Sequence, residues 1–165
     1  MHHHAHGEEA GCCEAEHGPG EILARAERLC RERDLQFTRL RRDVLEAVAK
    51  EGRPLGAYDI AERLSGEGRR VAAVSVYRAL DFLTEQGLVH RIASRNAFVS
   101  CGHEHGDKAG LVFLICRTCG GIDEMTAPNV ENALDRTLAQ VGFTPVSRIL
   151  EVEGQCGNCR ERGEG

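Results

Sequence analysis

Tryptophan is absent from this 165-residue chain, and aromatic residues make up only 4% of it, as two Tyr and five Phe. Whatever core exists must therefore be built from Leu, Val, Ile and Ala, and a hydrophobic content of 41% suffices for one core or two small ones. No stretch approaches the ~18 consecutive apolar residues of a membrane-spanning helix, and the N-terminus lacks the apolar run of a secretory signal. The expectation is a cytoplasmic protein with no membrane partner. In such a reducing compartment, the eight Cys are expected as metal ligands or free thiols rather than as disulfides.

Basic residues are missing altogether from residues 1–20, which hold four acids; residues 21–95 hold fifteen basic and twelve acidic side chains, and residues 96–165 hold six and ten. The three nets are -4, +3 and -4, so any contact with nucleic acid falls to the middle segment, although a solvated surface accounts for so small an excess equally well. The opening stretch MHHHAHGEEAGCCEAEHGPG has no apolar periodicity and ends in Gly-Pro-Gly, which predicts a disordered tail over residues 1–20. Its His and Cys have nothing to fix their geometry around an ion.

From Ile22 to Val89 the apolar residues recur at helical spacing. Ile22, Leu23, Ala26, Leu29 and Cys30 share one face of a first helix; Leu40, Val44, Leu45 and Val48 mark a second, begun by Thr38; Ile60, Ala61 and Leu64 mark a short third, ended by Gly66 and Gly68. A fourth is predicted from Ser75 to Gln86, with Val76, Ala79, Leu80 and Leu83 as its buried stripe, Ser75 as its N-cap and Gly87 as the left-handed residue that stops it. LVHRIA and AFVSC then alternate around SRN, as a hairpin does. Helices followed by a hairpin describe a winged helix-turn-helix over residues 21–101, whose last helix enters the major groove. Tyr77 and Arg78 lie off the buried stripe at the start of that helix, where an Arg can bond a guanine edge with about 1–3 kcal/mol of discrimination. Packing of Tyr77 on a neighbouring helix and simple solvation of Arg78 are the alternative.

CRTCGG and GQCGNC carry two Cys pairs, each with two residues inside the pair and thirty-six between the pairs. A tight turn aims both thiols of a pair one way, and two pairs complete a tetrahedron, so Cys116, Cys119, Cys156 and Cys159 predict a closed structural zinc site. A redox dithiol needs only one pair, at a helix start, whereas FLICRTCGGIDEM reads as strand, turn, strand.

VYRALDFLTEQGLVHRI, with FLICRTCG and a closing CGNC, resembles the ferric uptake regulator family of metal-dependent repressors, and is most similar to its zinc uptake branch. The resemblance runs from about Leu29 to Cys159. It implies an α+β fold in which a winged-helix DNA-binding domain is joined through a hinge, residues 102–110, to a small α/β dimerisation domain over residues 111–160, with residues 161–165 as a tail. It also implies a homodimer on a double-stranded DNA operator. Arg78 becomes the base reader, Tyr77, Tyr58 and Ser75 further DNA contacts, and Arg39 a phosphate contact that adds affinity without sequence information. Relatives place a Pro-Thr pair before the recognition helix; here Val74 and Ser75 stand there.

The remaining ligand candidates are His90, Cys101, His103, His105 and Glu124. A two-residue turn at Arg95 and Asn96 would set His90 directly opposite Cys101, with Cβ atoms about 5 Å apart. By resemblance, His90, Cys101 and Glu124 fall on the positions of a regulatory zinc site between wing and dimerisation domain. The last ligand is His105 or His103, because Ala109 stands where some relatives supply it. Thiolate, imidazole and carboxylate form a borderline-soft tetrahedral set that favours Zn²⁺ over iron or manganese. Two or more zinc ions per subunit are thus expected, one structural and one regulatory. Other readings are an iron-sensing relative, a zinc-ribbon interaction module without DNA activity, and a hydrolytic metalloenzyme; the last lacks an open ligand position and any H-E-x-x-H.

Overall fold

A computed structural model of the chain describes residues 18–66, 68, 70–101, 110–146 and 148–163. Residues 1–17, and with them most of the expected tail, lie outside it, as do His103 and His105. Helix α1, Pro19–Glu32, begins inside the predicted tail because Pro19 occupies the first helical position, where its missing N–H and fixed φ fit.

Helix α2, Arg39–Glu51, starts as expected: the Thr38 hydroxyl accepts the Arg41 N–H at 3.4 Å. Helix α3, Ala57–Leu64, is followed by Ser65 rather than stopped by the glycines beyond it. Helix α4 spans Ala73–Glu85, which corrects the expected start: its N-cap is Ala72, and Ser75 lies in the first turn without capping. The reason sits upstream, where the Ser65 hydroxyl donates to the Ala61 carbonyl at 2.7 Å and accepts the Val71 N–H at 3.0 Å. The chain before α4 is thereby already held, and the helix forms two residues earlier. Gly87, with φ +70°, ends α4 as expected, and the Leu88 N–H turns back to the Leu83 carbonyl at 2.9 Å.

Strands β1, Val89–Ile92, and β2, Ala97–Ser100, form the antiparallel wing. Their connection is four residues, not two: a 3₁₀ turn over Ala93–Arg95 and then Asn96 at φ +46°. His90 therefore faces Val99 instead of Cys101. A slip of two preserves every side chain's face, so Cys101 remains a diagonal neighbour of His90 on the same side. The first core joins all four helices to one face of this wing, with Ile22, Leu45, Ile60, Leu80 and Leu83 fully buried around Val89 and Phe98.

The C-terminal half is a three-stranded sheet of order β4-β3-β5, with β3 Leu111–Cys116, β4 Ile122–Thr126 and β5 Leu150–Gly154. β4 returns antiparallel from β3, helix α5, Pro128–Gln140, crosses over, and β5 runs parallel to β3. Register places Glu124 on one side of Phe113 and Glu151 on the other, so these three form one row across the sheet. That face meets the wing: Ile92 packs with Phe113 and Ile115, joined by Val99 and Ile122, as a second core. On the opposite face Leu114, Met125 and Val152 stay exposed. A short helix α6, Gly157–Glu161, closes the described chain.

Candidate metal centres

The four-Cys cluster assembles at one end of the sheet. Cys116 ends β3, Cys119 lies in the turn to β4, Cys156 precedes α6 and Cys159 lies within it. One sulfur from each residue lies within 4.8 Å of the others, and the Cys119 and Cys156 sulfurs are 4.0 Å apart. A tetrahedron with Zn–S bonds of about 2.3 Å has edges of about 3.8 Å, so the donors already fit the ion. Backbone N–H groups of Cys119, Cys156 and Thr118 turn toward the Cys116 sulfur and lower its pKa to about 6. Hydrogen bonding to Cys156, then burial and the other two sulfurs, push Cys159 up to about 12. The turn thus prepares the Cys116 thiolate, while the Cys159 thiol must lose its proton as a cation arrives. The four residues that spacing singled out are the ones the structure brings together.

A second cluster lies where the wing meets the sheet. His90 comes from β1, Cys101 follows β2, and Glu124 comes from β4; their ligand atoms also fall within 4.8 Å of one another. His90 Nε2 is 3.5 Å and the Cys101 sulfur 3.8 Å from the same Glu124 oxygen. Cys101 is fully buried, and its backbone is held on both sides: its N–H donates to the Leu88 carbonyl at 3.0 Å, and its carbonyl accepts from Arg25 of α1 at 2.7 Å. The Phe113 ring packs against the imidazole at a centroid distance of 5.2 Å and steers it toward Glu124. Burial works against a charged imidazole, but hydrogen bonds to Cys101 and Glu124 outweigh it and hold the His90 pKa up at about 9. Without a metal the cluster keeps a proton where a cation fits. Three donors of a soft-to-borderline set converge; the expected fourth ligand, His103 or His105, lies outside the described residues.

The expected DNA-contacting residues are only partly brought together. Tyr58 is 72% exposed and meets the ring of Tyr77 edge-on at 6.2 Å. Tyr77 itself is half-buried against the first core, so it leans on its neighbours as well as standing at the helix start. Arg78 is exposed on α4, and Ser75 is half-buried in its first turn. Arg39 is exposed at the first residue of α2, with its Nε 3.9 Å from Asp43. Sequence reasoning overlooked Arg25, Phe113 and Glu151. The alternation of LEVEG does place Glu151 opposite Leu150 and Val152 in face, but nothing local names its partner.

Residues 32–153 match the model of the ferric uptake regulator family. The chain is 34% identical over 141 residues to the zinc uptake regulation protein of Escherichia coli strain K12, spanning 86% of this chain and 82% of that protein. Among solved structures, it is similar to a zinc uptake regulator complexed with zinc and DNA, with a TM-score of 0.83, 32% identity, and coverage of 90% of this chain and 99% of that one. It is likewise similar to holo XcZur, with a TM-score of 0.77, 37% identity, and coverage of 86% and 98%.

Proposed function

The chain belongs to the ferric uptake regulator family, and from that premise we propose that it is a zinc-responsive transcriptional repressor, a DNA-binding regulator and not an enzyme. The observation that carries the reading is the convergence of His90 and Cys101 from the wing with Glu124 from the sheet. A site drawn from both halves of the chain responds to an ion by changing how the halves sit. Such a site is a sensor, whereas the four-Cys cluster, drawn from the C-terminal half alone, is structural.

Cys116, Cys119, Cys156 and Cys159 would hold one zinc, and His90, Cys101 and Glu124, completed by His105 or His103, would hold the other. A bound ion would tie wing to sheet. Among the chain's own residues, Phe113 orients the imidazole, Arg25 and Leu88 fix the backbone of Cys101, and Glu124 accepts the proton-bearing imidazole when the metal is away. Holding the wing fixes the direction of α4, so that Arg78 and Tyr58 of two subunits address two major-groove half-sites of a palindromic operator in the cytoplasm. A homodimer is supported by the apolar residues left exposed in the C-terminal half, among them Leu114, Met125, Val130 and Val152, and by α5, in which no residue is buried. Among the described residues no helix is long and apolar enough to cross a membrane.

Metal content per chain is measured after mild and then exhaustive chelation, with operator binding assayed at each stage. One exchangeable zinc should leave together with DNA binding while a second remains in the folded protein. Cys101→Ser should lose the exchangeable zinc and zinc-dependent DNA binding yet stay folded. DNA binding that survives loss of the exchangeable zinc would overturn the sensor assignment.

A further inference from the structure

The sensor ligands can meet only if the wing already lies near the sheet, and the ion is not the sole contact that brings it there. The row Glu124–Phe113–Glu151 crosses the sheet beneath the wing. Glu124 reaches the ligands His90 and Cys101, and Phe113 packs with Ile92. On the far side, one oxygen of Glu151 accepts the N–H of Ala93 at 2.6 Å and the other accepts the N–H of Ser94 at 3.1 Å. These two donors open the 3₁₀ turn of the wing, where successive backbone N–H groups have no partner within the turn itself. The carboxylate satisfies both at once, one oxygen to each N–H. Although partial burial opposes ionisation, hydrogen bonds from Ser94 and Ala93 outweigh it and keep the Glu151 carboxyl below its usual range.

We propose that Glu151 is a metal-independent latch, a positioning residue that docks the wing turn onto β5 and so pre-forms the sensor site before zinc arrives. The inference rests on the functional reading above, since it assigns Glu151 a role in setting the zinc concentration to which the protein responds. A site that exists in only a fraction of molecules binds with an affinity reduced by that fraction. Releasing the latch therefore weakens zinc binding at His90, Cys101 and Glu124 without touching any ligand.

The test uses the full-length protein with its four-Cys zinc retained and the sensor site stripped. Two readouts are taken for wild type, Glu151→Ala and Glu151→Gln: hydrogen exchange at the Ala93 and Ser94 amides without sensor metal, and zinc affinity of the sensor site by competition with a chromophoric chelator. The expected result is loss of amide protection in Glu151→Ala together with a roughly threefold to tenfold weaker zinc affinity, as the fraction of molecules with a pre-formed site falls by about that factor. Glu151→Gln, which keeps an acceptor but not the charge, should fall between. Unchanged affinity in Glu151→Ala overturns the latch, and so does a loss accompanied by release of the four-Cys zinc, which marks a merely structural residue. If the sensor site takes no zinc even in wild type, the functional reading fails, and unprotected Ala93 and Ser94 amides in wild type would overturn the latch separately.

Discussion

At the scale of the residue, His90 ties acidity to metal. Its folded pKa of about 9 stands above the ordinary 6.5, because Cys101 and Glu124 hold the protonated imidazole despite burial. A raised pKa means that this contribution to stability is complete below pH 6.5 and disappears as pH rises through about 9. Metal-free protein should therefore become easier to denature with urea across that window, and His90→Gln should flatten the dependence. Protein loaded at the sensor site should not follow it, since a coordinated imidazole carries no proton; apparent zinc affinity should instead climb over the same range. The Cys pairs were readable from spacing because a metal knuckle is a local device. Hairpin register brought His90 and Cys101 together, their role and that of Glu124 needed the family resemblance, and Glu151 escaped entirely: an acid in an alternating strand signals only that it faces away from Leu150 and Val152.

Among the elements, apolar periodicity located all four N-terminal helices, because their buried stripes are continuous and strongly patterned. Their ends were less legible. Thr38 and Ser75 look alike as N-caps in the sequence, yet only Thr38 accepts an N–H from the first turn. Thr38→Ala should thus lower unfolding free energy by about 0.5–1 kcal/mol. Ser75→Ala should leave it nearly unchanged while still altering operator affinity if the hydroxyl meets DNA; denaturant melts and DNA titrations of both variants separate the two roles. The wing shows a different kind of miss. SRN suggested a two-residue turn, but Asn96 takes the left-handed position at the end of a longer one. Only the parity of the slip spared the site, since a shift of one residue would have carried Cys101 to the other face.

For the whole molecule, the winged helix followed from helices and hairpin and the α+β architecture from the family resemblance, whereas the sharing of the wing between two cores was legible in neither. Val89 and Phe98 belong to the helical core and Ile92 and Val99 to the sheet, a division that depends on contacts far apart in the chain. In the proposed homodimer, a second copy covers the face of the sheet left open here. Val152→Asp places a charge at the centre of the exposed patch with Leu114, its neighbour across β3 and β5. Sedimentation should show dimers for the wild type and a shift to monomers for this variant, with zinc content unaltered.

The position of the four-Cys knot in chain order has a consequence for newborn molecules. Everything in the helical core lies before Cys101, but the sheet needs β5 beside β3 and sulfurs as late as Cys159. At about 5–20 residues per second of synthesis, several seconds separate the first half's emergence from completion of the second. During that interval the helical core is complete but the sheet that carries Glu124 is not, so a nascent chain cannot yet answer to zinc, and zinc-dependent operator binding begins only once the last pair of thiols has left the ribosome.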